Sequence, residues 1–219
     1  MSGCQRKTEV LPASDANVAR AVEVLKAGGL VAFPTDTVYG LAALPWDVDA
    51  VARLYEAKQR PSDRSIPLLL SDASQLGRVV TLPSQFRRRL RQLIARFWPG
   101  GLTLVLPKVE IVPDAVSAGP TVAVRVPDLP LARGLIRGAG GTLAVTSANI
   151  SGQFSPVTAR EVEEQLGGRI GLILDGGLCR GGIPSSILDC TVSPPLLLRR
   201  GAISEVALRA VIGPIKIPG

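Results

Sequence analysis

The sequence predicts a single α/β domain built on a twisted mixed sheet flanked by helices, and three observations carry that prediction. Short apolar runs ended by Gly or Pro interleave with amphipathic segments along the whole chain. No repeat, low-complexity stretch or linker interrupts the alternation, so residues 13–212 read as one domain between an extension (1–12) and a tail (213–219). The runs 185–191 and 195–199 are joined by Val192-Ser193-Pro194 alone, too short for a crossover, so those two strands are antiparallel and the sheet is mixed.

Each element has a local reason. Ser14 can cap a helix over 15–27 whose Val18, Ala21, Val22 and Leu25 share a face, and Gly28-Gly29 stops it. Leu30 to Phe33 is a buried strand ended by Pro34, and the polar turn 35–40 follows. Asp47 or Asp49 starts a helix over 48–58, and Ile66–Leu70 is a strand. A helix over 84–97 buries Phe86, Leu90, Leu93, Ile94 and Phe97 and covers the rest of its surface with Arg87, Arg88, Arg91 and Arg96. Pro99-Gly100-Gly101 breaks the chain before strand 102–106. Strand 121–126, helix 130–137, strand 142–146, a Ser/Asn-rich loop over 147–156, helix 158–166 and strand 170–174 come next. A Gly-rich loop (175–182), the two antiparallel strands and helix 203–212 complete the chain.

Composition removes several chemistries. The 219 residues contain no His, which excludes Ser-His-Asp and Cys-His catalysis, an HExxH metal site and an imidazole base. Cys4, Cys179 and Cys190 have no CxxC spacing, which argues against structural zinc and a disulfide framework and fits a reducing compartment. No signal-peptide core or apolar span occurs, so the expected location is the cytoplasm, with no membrane partner. The net charge is +7, with 20 Arg against 5 Lys, which points to anionic partners: nucleic acid or nucleotide-like molecules. A P-loop and a Rossmann fingerprint are absent, and 4% aromatic content gives little for base stacking.

Four polar clusters stand at strand ends, where open α/β sheets bind ligands. Thr35-Asp36-Thr37-Val38-Tyr39-Gly40 offers hydroxyls, a carboxylate and a phenol, or is simply a capped connection. Lys58-Gln59-Arg60-Pro61-Ser62-Asp63-Arg64 can converge on phosphates, or be a solvated helix end. Alternation in 121–126 puts Val122, Val124 and Val126 on one face and Thr121, Ala123 and Arg125 on the other, which either lines a polar cavity or is a wet sheet face. Thr146-Ser147-Ala148-Asn149-Ile150-Ser151-Gly152 can touch ribose, phosphate or an ion, or form an ordinary Ser/Asx turn.

Together with Phe97-Trp98-Pro99-Gly100-Gly101-Leu102-Thr103, Leu174-Asp175-Gly176-Gly177, Pro184 to Asp189 and Leu198-Arg199, these clusters resemble the YrdC/TsaC family, the threonylcarbamoyl-AMP synthases, from about Ala13 to Ile212. The resemblance implies a sheet curled around a deep basic cavity. The implied reaction converts L-threonine, bicarbonate and ATP to threonylcarbamoyl-adenylate and pyrophosphate, with Mg2+ accompanying ATP and no protein metal ligands. A downstream transferase then modifies tRNA, and direct tRNA contact stays open. By position, Thr37, Tyr39, Arg125, Ser147 and Ser185 would hold threonine. Lys58, Arg60, Arg64, Thr121, Asn149 and Arg199 would meet ATP, and Lys58, Arg60, Ser147 and Asn149 would form the catalytic set. No protein base is expected, Asp36 being the carboxylate to test, and 58–65 is the expected lid. Gly101, Arg200 and the run 65–70 depart from the family pattern, and the end at Gly219 implies the short form without a further C-terminal domain. The competing readings are a non-catalytic basic RNA- or ribosome-binding module and, last, a hydrogenase-maturation carbamoyltransferase.

Overall fold

The computed structural model describes residues 7–82 and 86–217; the helix start predicted at 84–85, Cys4 and the outermost parts of the extension and tail lie outside the described residues. In chain order the elements are β1 (Glu9–Pro12), α1 (Asp15–Lys26), β2 (Val31–Phe33), β3 (Gly40–Ala43), α2 (Val48–Lys58), β4 (Leu68–Leu70), a 3-10 turn (Ala73–Arg78), α3 (Arg87–Phe97), β5 (Leu102–Pro107), β6 (Thr121–Arg125), α4 (Pro130–Gly138), β7 (Thr142–Ser147), α5 (Ala159–Leu166), β8 (Leu172–Asp175), β9 (Ser186–Asp189), β10 (Leu196–Arg199) and α6 (Glu205–Ile212). The strands form one mixed sheet in the order β1-β8-β2-β3-β7-β4-β6-β5-β9-β10. β1/β8, β2/β8, β4/β6 and β5/β9 are parallel and the other neighbours antiparallel, including β9 and β10 as their short connection required.

Two strands escape the sequence pattern. β1, inside the stretch expected as an extension, is four residues long, ends in Pro and pairs at one edge of the sheet with β8. β3 is Gly-Leu-Ala-Ala, buried on both faces, so it has neither alternation nor β-branched residues to mark it. Helix starts follow capping chemistry more closely. Ser14 accepts from the Asn17 amide, Asp47 from Ala50, and Thr158 with Glu161 forms a reciprocal capping box.

Alternation along the strands splits the core in two. Val31, Phe33, Ala42, Leu69, Leu143, Val145, Leu172 and Leu174 face α1 and α4. Their neighbours Ala32, Leu41, Leu68, Leu70, Ala144 and Ile173 belong to a larger core that includes the buried faces of α2, α3, α5 and α6. β5, β6, β9 and β10 give Leu102, Leu104, Leu106, Val122, Val124, Leu188 and Leu197 to that larger core and none to the α1/α4 side. The sheet is therefore covered on both faces over one half, and over the other half one face carries no helix-packed core. Among the described residues, no helix is long and apolar enough to cross a membrane.

Leu68, at the centre of the sheet and 0% exposed, anchors the larger core. Leu68→Ala is expected to cost about 2–5 kcal/mol, read as a lowered urea midpoint at unchanged slope.

Candidate functional site

A cavity of about 330 Å3 opens on that second half of the sheet. Its floor is the outward alternate set of three strands of that half: Thr103 and Val105 of β5, Ala123 and Arg125 of β6, and Ile187 of β9. The registers Leu69–Arg125, Val105–Ala123 and Thr103–Ile187 put these residues on one face. The open choice for strand 121–126 is thereby resolved: Ala123 and Arg125 line a cavity. The walls come from the turn after β2, the chain between α2 and β4, the end of β7 and the start of β9.

Arg125 is the most constrained cation. It is 6% exposed, and its guanidinium donates from Nε to the Gly100 carbonyl (2.9 Å), from Nη1 to Thr37 Oγ1 (2.9 Å) and from Nη2 to Asp36 Oδ1 (2.5 Å). Asp36 Oδ1 also accepts the Asp128 amide at 2.9 Å, so this carboxylate is occupied as a positioning anion. Burial pushes the Arg125 pKa down, opposed by Asp36. Thr37 is fixed from its other side by Thr35, whose hydroxyl lies 3.0 Å away and itself donates to the Val38 carbonyl.

Arg199 donates from Nε to the Ser185 carbonyl (3.0 Å) and from Nη2 to Ser185 Oγ (3.1 Å), and Ser185 Oγ shares a 2.7 Å bond with Thr103 Oγ1. Its pKa is lowered by burial and then by the Arg125 charge. Arg60, also on the cavity wall, folds back to donate to the Arg64 and Ser65 carbonyls, and burial is the first cause lowering its pKa.

Lys58 sits one layer below the wall rather than in it. It is 1% exposed, and its ammonium donates to the carbonyls of Ser147 and Asn149 (both 2.5 Å) and to Asn149 Oδ1 (3.3 Å). Three N–H groups thus meet three oxygens. Ser147 Oγ donates to the same Asn149 Oδ1. Burial, followed by the Arg60 charge, pulls the Lys58 pKa down to about 7. The αL conformation of Gln59 (φ 50°) ends α2 and turns the chain from Lys58 toward Arg60.

The structure brings Thr37, Tyr39, Arg60, Arg125, Ser147, Ser185 and Arg199 to one cavity, with Lys58 and Asn149 directly behind Ser147. Tyr39 has a different use for its hydroxyl. That group donates to the Gly177 carbonyl (2.8 Å) and accepts the Gly176 amide (3.2 Å), and burial raises its pKa. It pins the loop between β8 and β9 beside the cavity. On that loop a Cβ at Gly181 would overlap the Asp36 carbonyl, which explains a glycine there. Thr121 and Arg64 do not line the cavity; the backbone carbonyl of Thr121 accepts from Ser117 and that of Arg64 from Tyr55 and Arg60. Thr35, offered within the 35–40 cluster but given no role, also lines the cavity, whereas Thr103 and Ser65 were missed as lining residues. Thr103 was legible: it alternates with Leu102 and Leu104 in the same way that Arg125 alternates with Val124. A larger hollow, about 410 Å3, lies at the opposite ends of β2 and β8 between Arg53, Glu56 and Arg169, and contains none of the predicted residues.

These features define the class: an α/β domain whose mixed sheet serves as core on one face and as site floor on the other. The chain belongs to the Sua5/YciO/YrdC family, whose model, described as telomere recombination, matches residues 23–201. It is 45% identical to the threonylcarbamoyl-AMP synthase of Bacillus subtilis over 96% of this chain, and spans 60% of that relative's length. A putative threonylcarbamoyl-AMP synthase of Mycobacterium tuberculosis is 39% identical over 90% of this chain and 89% of its own. Among solved structures, Pyrococcus abyssi Sua5 complexed with L-threonine matches with a TM-score of 0.92 at 40% identity, over 96% of this chain and 63% of that one. The resemblance read from the motifs is thus membership.

The lowered Lys58 pKa fixes the sign of a pH effect. Above about pH 7 the folded protein releases the Lys58 proton, while the unfolded chain keeps it up to the ordinary 10.5. The unfolded state then binds more protons, so stability rises with pH across that window, by at most about 1.4 kcal/mol per unit. Denaturation of the protein and of Lys58→Met between pH 7 and 9 should show their stability difference shifting toward the unsubstituted protein; a flat difference contradicts it.

Proposed function

We propose that this domain makes L-threonylcarbamoyl-adenylate from L-threonine, bicarbonate and ATP, releasing pyrophosphate, as the first step of threonylcarbamoyladenosine modification of tRNA. The observation that carries this reading is the crowding of Arg60, Arg125 and Arg199 around a hydroxyl-bearing floor, in a domain that superposes on a threonine-bound relative. Burial disfavours all three charges and Arg125 further disfavours that of Arg199, so an anion bound among them relieves a cost already present in the fold.

In this reading Arg125, oriented by Asp36 and Gly100, pairs with the threonine carboxylate, and Thr37, Ser147 and Ser185 satisfy its remaining polar groups. Arg60 and Arg199 take the ATP phosphates, with Mg2+ arriving as part of the nucleotide substrate. Lys58 holds Ser147 and Asn149 in place and reaches phosphate by exchanging one of its carbonyl partners. Contacts from Arg64 require the 58–65 segment to close as a lid, and Thr121 is left at its margin.

The neutral amine nitrogen attacks the carbon of CO2, opening one C=O π bond, or that of bicarbonate, whose hydroxyl then leaves as water, and forms the carbamate. Its proton passes to bicarbonate, water or a phosphate oxygen, since the chain has no His and Asp36 already accepts from Arg125 and Asp128. A carbamate oxygen then attacks the α-phosphorus, the bond to the pyrophosphate oxygen breaks, and pyrophosphate leaves. Negative charge gathers in both steps, so fixed cations and positioning supply the catalysis. The product passes to a tRNA threonylcarbamoyl transferase.

Incubation with ATP, Mg2+, labelled bicarbonate and threonine should yield pyrophosphate and a labelled adenylate, with serine and glycine poor substitutes. Polyanion binding without this turnover would favour the RNA-binding module instead. Arg125→Ala should weaken threonine binding at least about 30-fold in calorimetry, the loss of roughly 2 kcal/mol expected for a buried charge pair. Unchanged affinity would remove Arg125 from the threonine seat.

A further inference from the structure

The hydroxyls on the cavity wall are not interchangeable, because the bonds around them decide where their hydrogens point. A threonine or serine hydroxyl has one hydrogen to give and two lone pairs to receive. Thr35 Oγ1 gives its hydrogen to the Val38 carbonyl (2.7 Å) and receives the Thr37 amide (3.2 Å). It has no hydrogen left for Thr37 Oγ1, 3.0 Å away, so Thr37 is the donor in that pair. Arg125 Nη1, which can only donate, fills one lone pair of Thr37 Oγ1 at 2.9 Å. Thr37 is left with a single lone pair for a ligand and no hydrogen. Both threonines are buried, so bulk water has little access to the pair.

Ser147 reaches the same state by another route. The Asn149 amide is oriented by its Nδ2, which donates to the Ile150 and Gln153 carbonyls (both 2.8 Å). Its Oδ1 therefore faces Lys58 Nζ (3.3 Å) and the Ser147 hydroxyl, and an amide oxygen only accepts. The Ser147 hydrogen is spent there, which leaves two lone pairs. The two hydroxyls stand on adjoining walls, since Gly40, three residues after Thr37, is the register partner of Ser147. Among the described residues lining the cavity there is no carboxylate.

This polarity suits a nucleophilic amine. A neutral amine has two N–H groups and one lone pair. A hydroxyl free to donate would bond to that lone pair and block attack, and a carboxylate would hold the nitrogen as an unreactive ammonium. Oxygens that only accept take the two N–H groups and leave the lone pair bare. We propose that Thr37 and Ser147 grip the substrate amine solely as acceptors, and that Thr35, acting through Thr37, is the positioning residue that keeps a hydrogen off the attacking lone pair; the inference rests on the threonine-dependent reaction proposed above. The ammonium of bound threonine first releases one proton to bicarbonate, water or a phosphate oxygen. The lone pair then attacks the CO2 carbon, the N–C bond forms, one C=O π bond opens onto oxygen, and a second proton leaves nitrogen for the same acceptors.

The test compares L-threonine with its α-hydroxy analogue, in which a hydroxyl replaces the amine, by calorimetry on the full chain, and follows threonine-dependent pyrophosphate release. The native protein should prefer threonine at least about tenfold, because the analogue offers one hydrogen to two acceptors. Equal affinities overturn the proposal without recourse to a variant, so a substitution that misfolds does not remove the test. Thr35→Val copies the shape of the side chain but frees the Thr37 hydrogen. Its preference for threonine should shrink at least about fivefold and its kcat fall at least about tenfold, with analogue affinity held within a few-fold. Thr35→Ser keeps the hydroxyl and should restore both the preference and kcat. A folded Thr35→Val with native preference and kcat, equal weakening of both ligands as a loosened turn would give, or a folded Thr35→Ser that behaves like Thr35→Val overturns the proposal. If the native protein neither binds threonine nor releases pyrophosphate with it, the threonylcarbamoyl-adenylate reading itself falls and takes the inference with it.

Discussion

The site depends on one buried guanidinium. Arg125 joins three segments that are far apart in sequence: the turn after β2 through Asp36 and Thr37, the loop after α3 through Gly100, and β6 itself. A buried cation without partners is costly, so the fold must bring a carboxylate, a hydroxyl and a carbonyl to it. The same three bonds fix its orientation and leave the N–H groups that the proposed function assigns to the threonine carboxylate. Asp36 extends the constraint by accepting the Asp128 amide, which ties down the chain leading into α4. Removing Arg125 would unmoor three neighbours, Asp36, Thr37 and Gly100, as well as delete a charge.

Positive charge is arranged in two layers around this anchor. Arg60, Arg125 and Arg199 face the cavity, while the ammonium of Lys58 lies behind Ser147 with its donors spent on loop oxygens. Arg199 feels Arg125, and Lys58 feels Arg60. Hydroxyls moderate the crowding by shaping the floor: Thr103 with Ser185, and Thr35 with Thr37, form short pairs that hold oxygen atoms in place. An acidic side chain at any of these positions would offset the positive field on which the proposed anion seat rests.

Much of this was legible in the sequence where the physics is local. Capping chemistry marked Ser14 and narrowed the start of α2 to Asp47 or Asp49, of which Asp47 is the cap, and period-two alternation separated Val122 and Val124 from Ala123 and Arg125. The short link between 185–191 and 195–199 fixed one antiparallel pair. The roles of the polar clusters were ambiguous one by one, because a Ser/Asn turn or a basic helix end looks the same in solvent; only their joint order pointed to a family. β1 and β3 were hidden because an edge strand and a Gly/Ala strand buried on both faces lack the alternating signal. The bonding of Tyr39 and Lys58 was hidden for another reason. Their partners, Gly176 and Gly177 for one and Ser147 and Asn149 for the other, are contacts across the fold that no local pattern encodes.

That alternation ties the chemistry to the packing. In β6 the residues beneath the floor and the residues of the floor are immediate neighbours in the chain, and the same holds for Leu102, Thr103 and Leu104 in β5. A slip of β6 by a single position would drive the guanidinium of Arg125 into the leucine-rich interior and lift Val122 and Val124 into the hollow. No nearly correct pairing can therefore assemble the proposed site in part. The chain must settle on one register before it has a site at all, and the cost of burying a charge in every alternative helps enforce that choice.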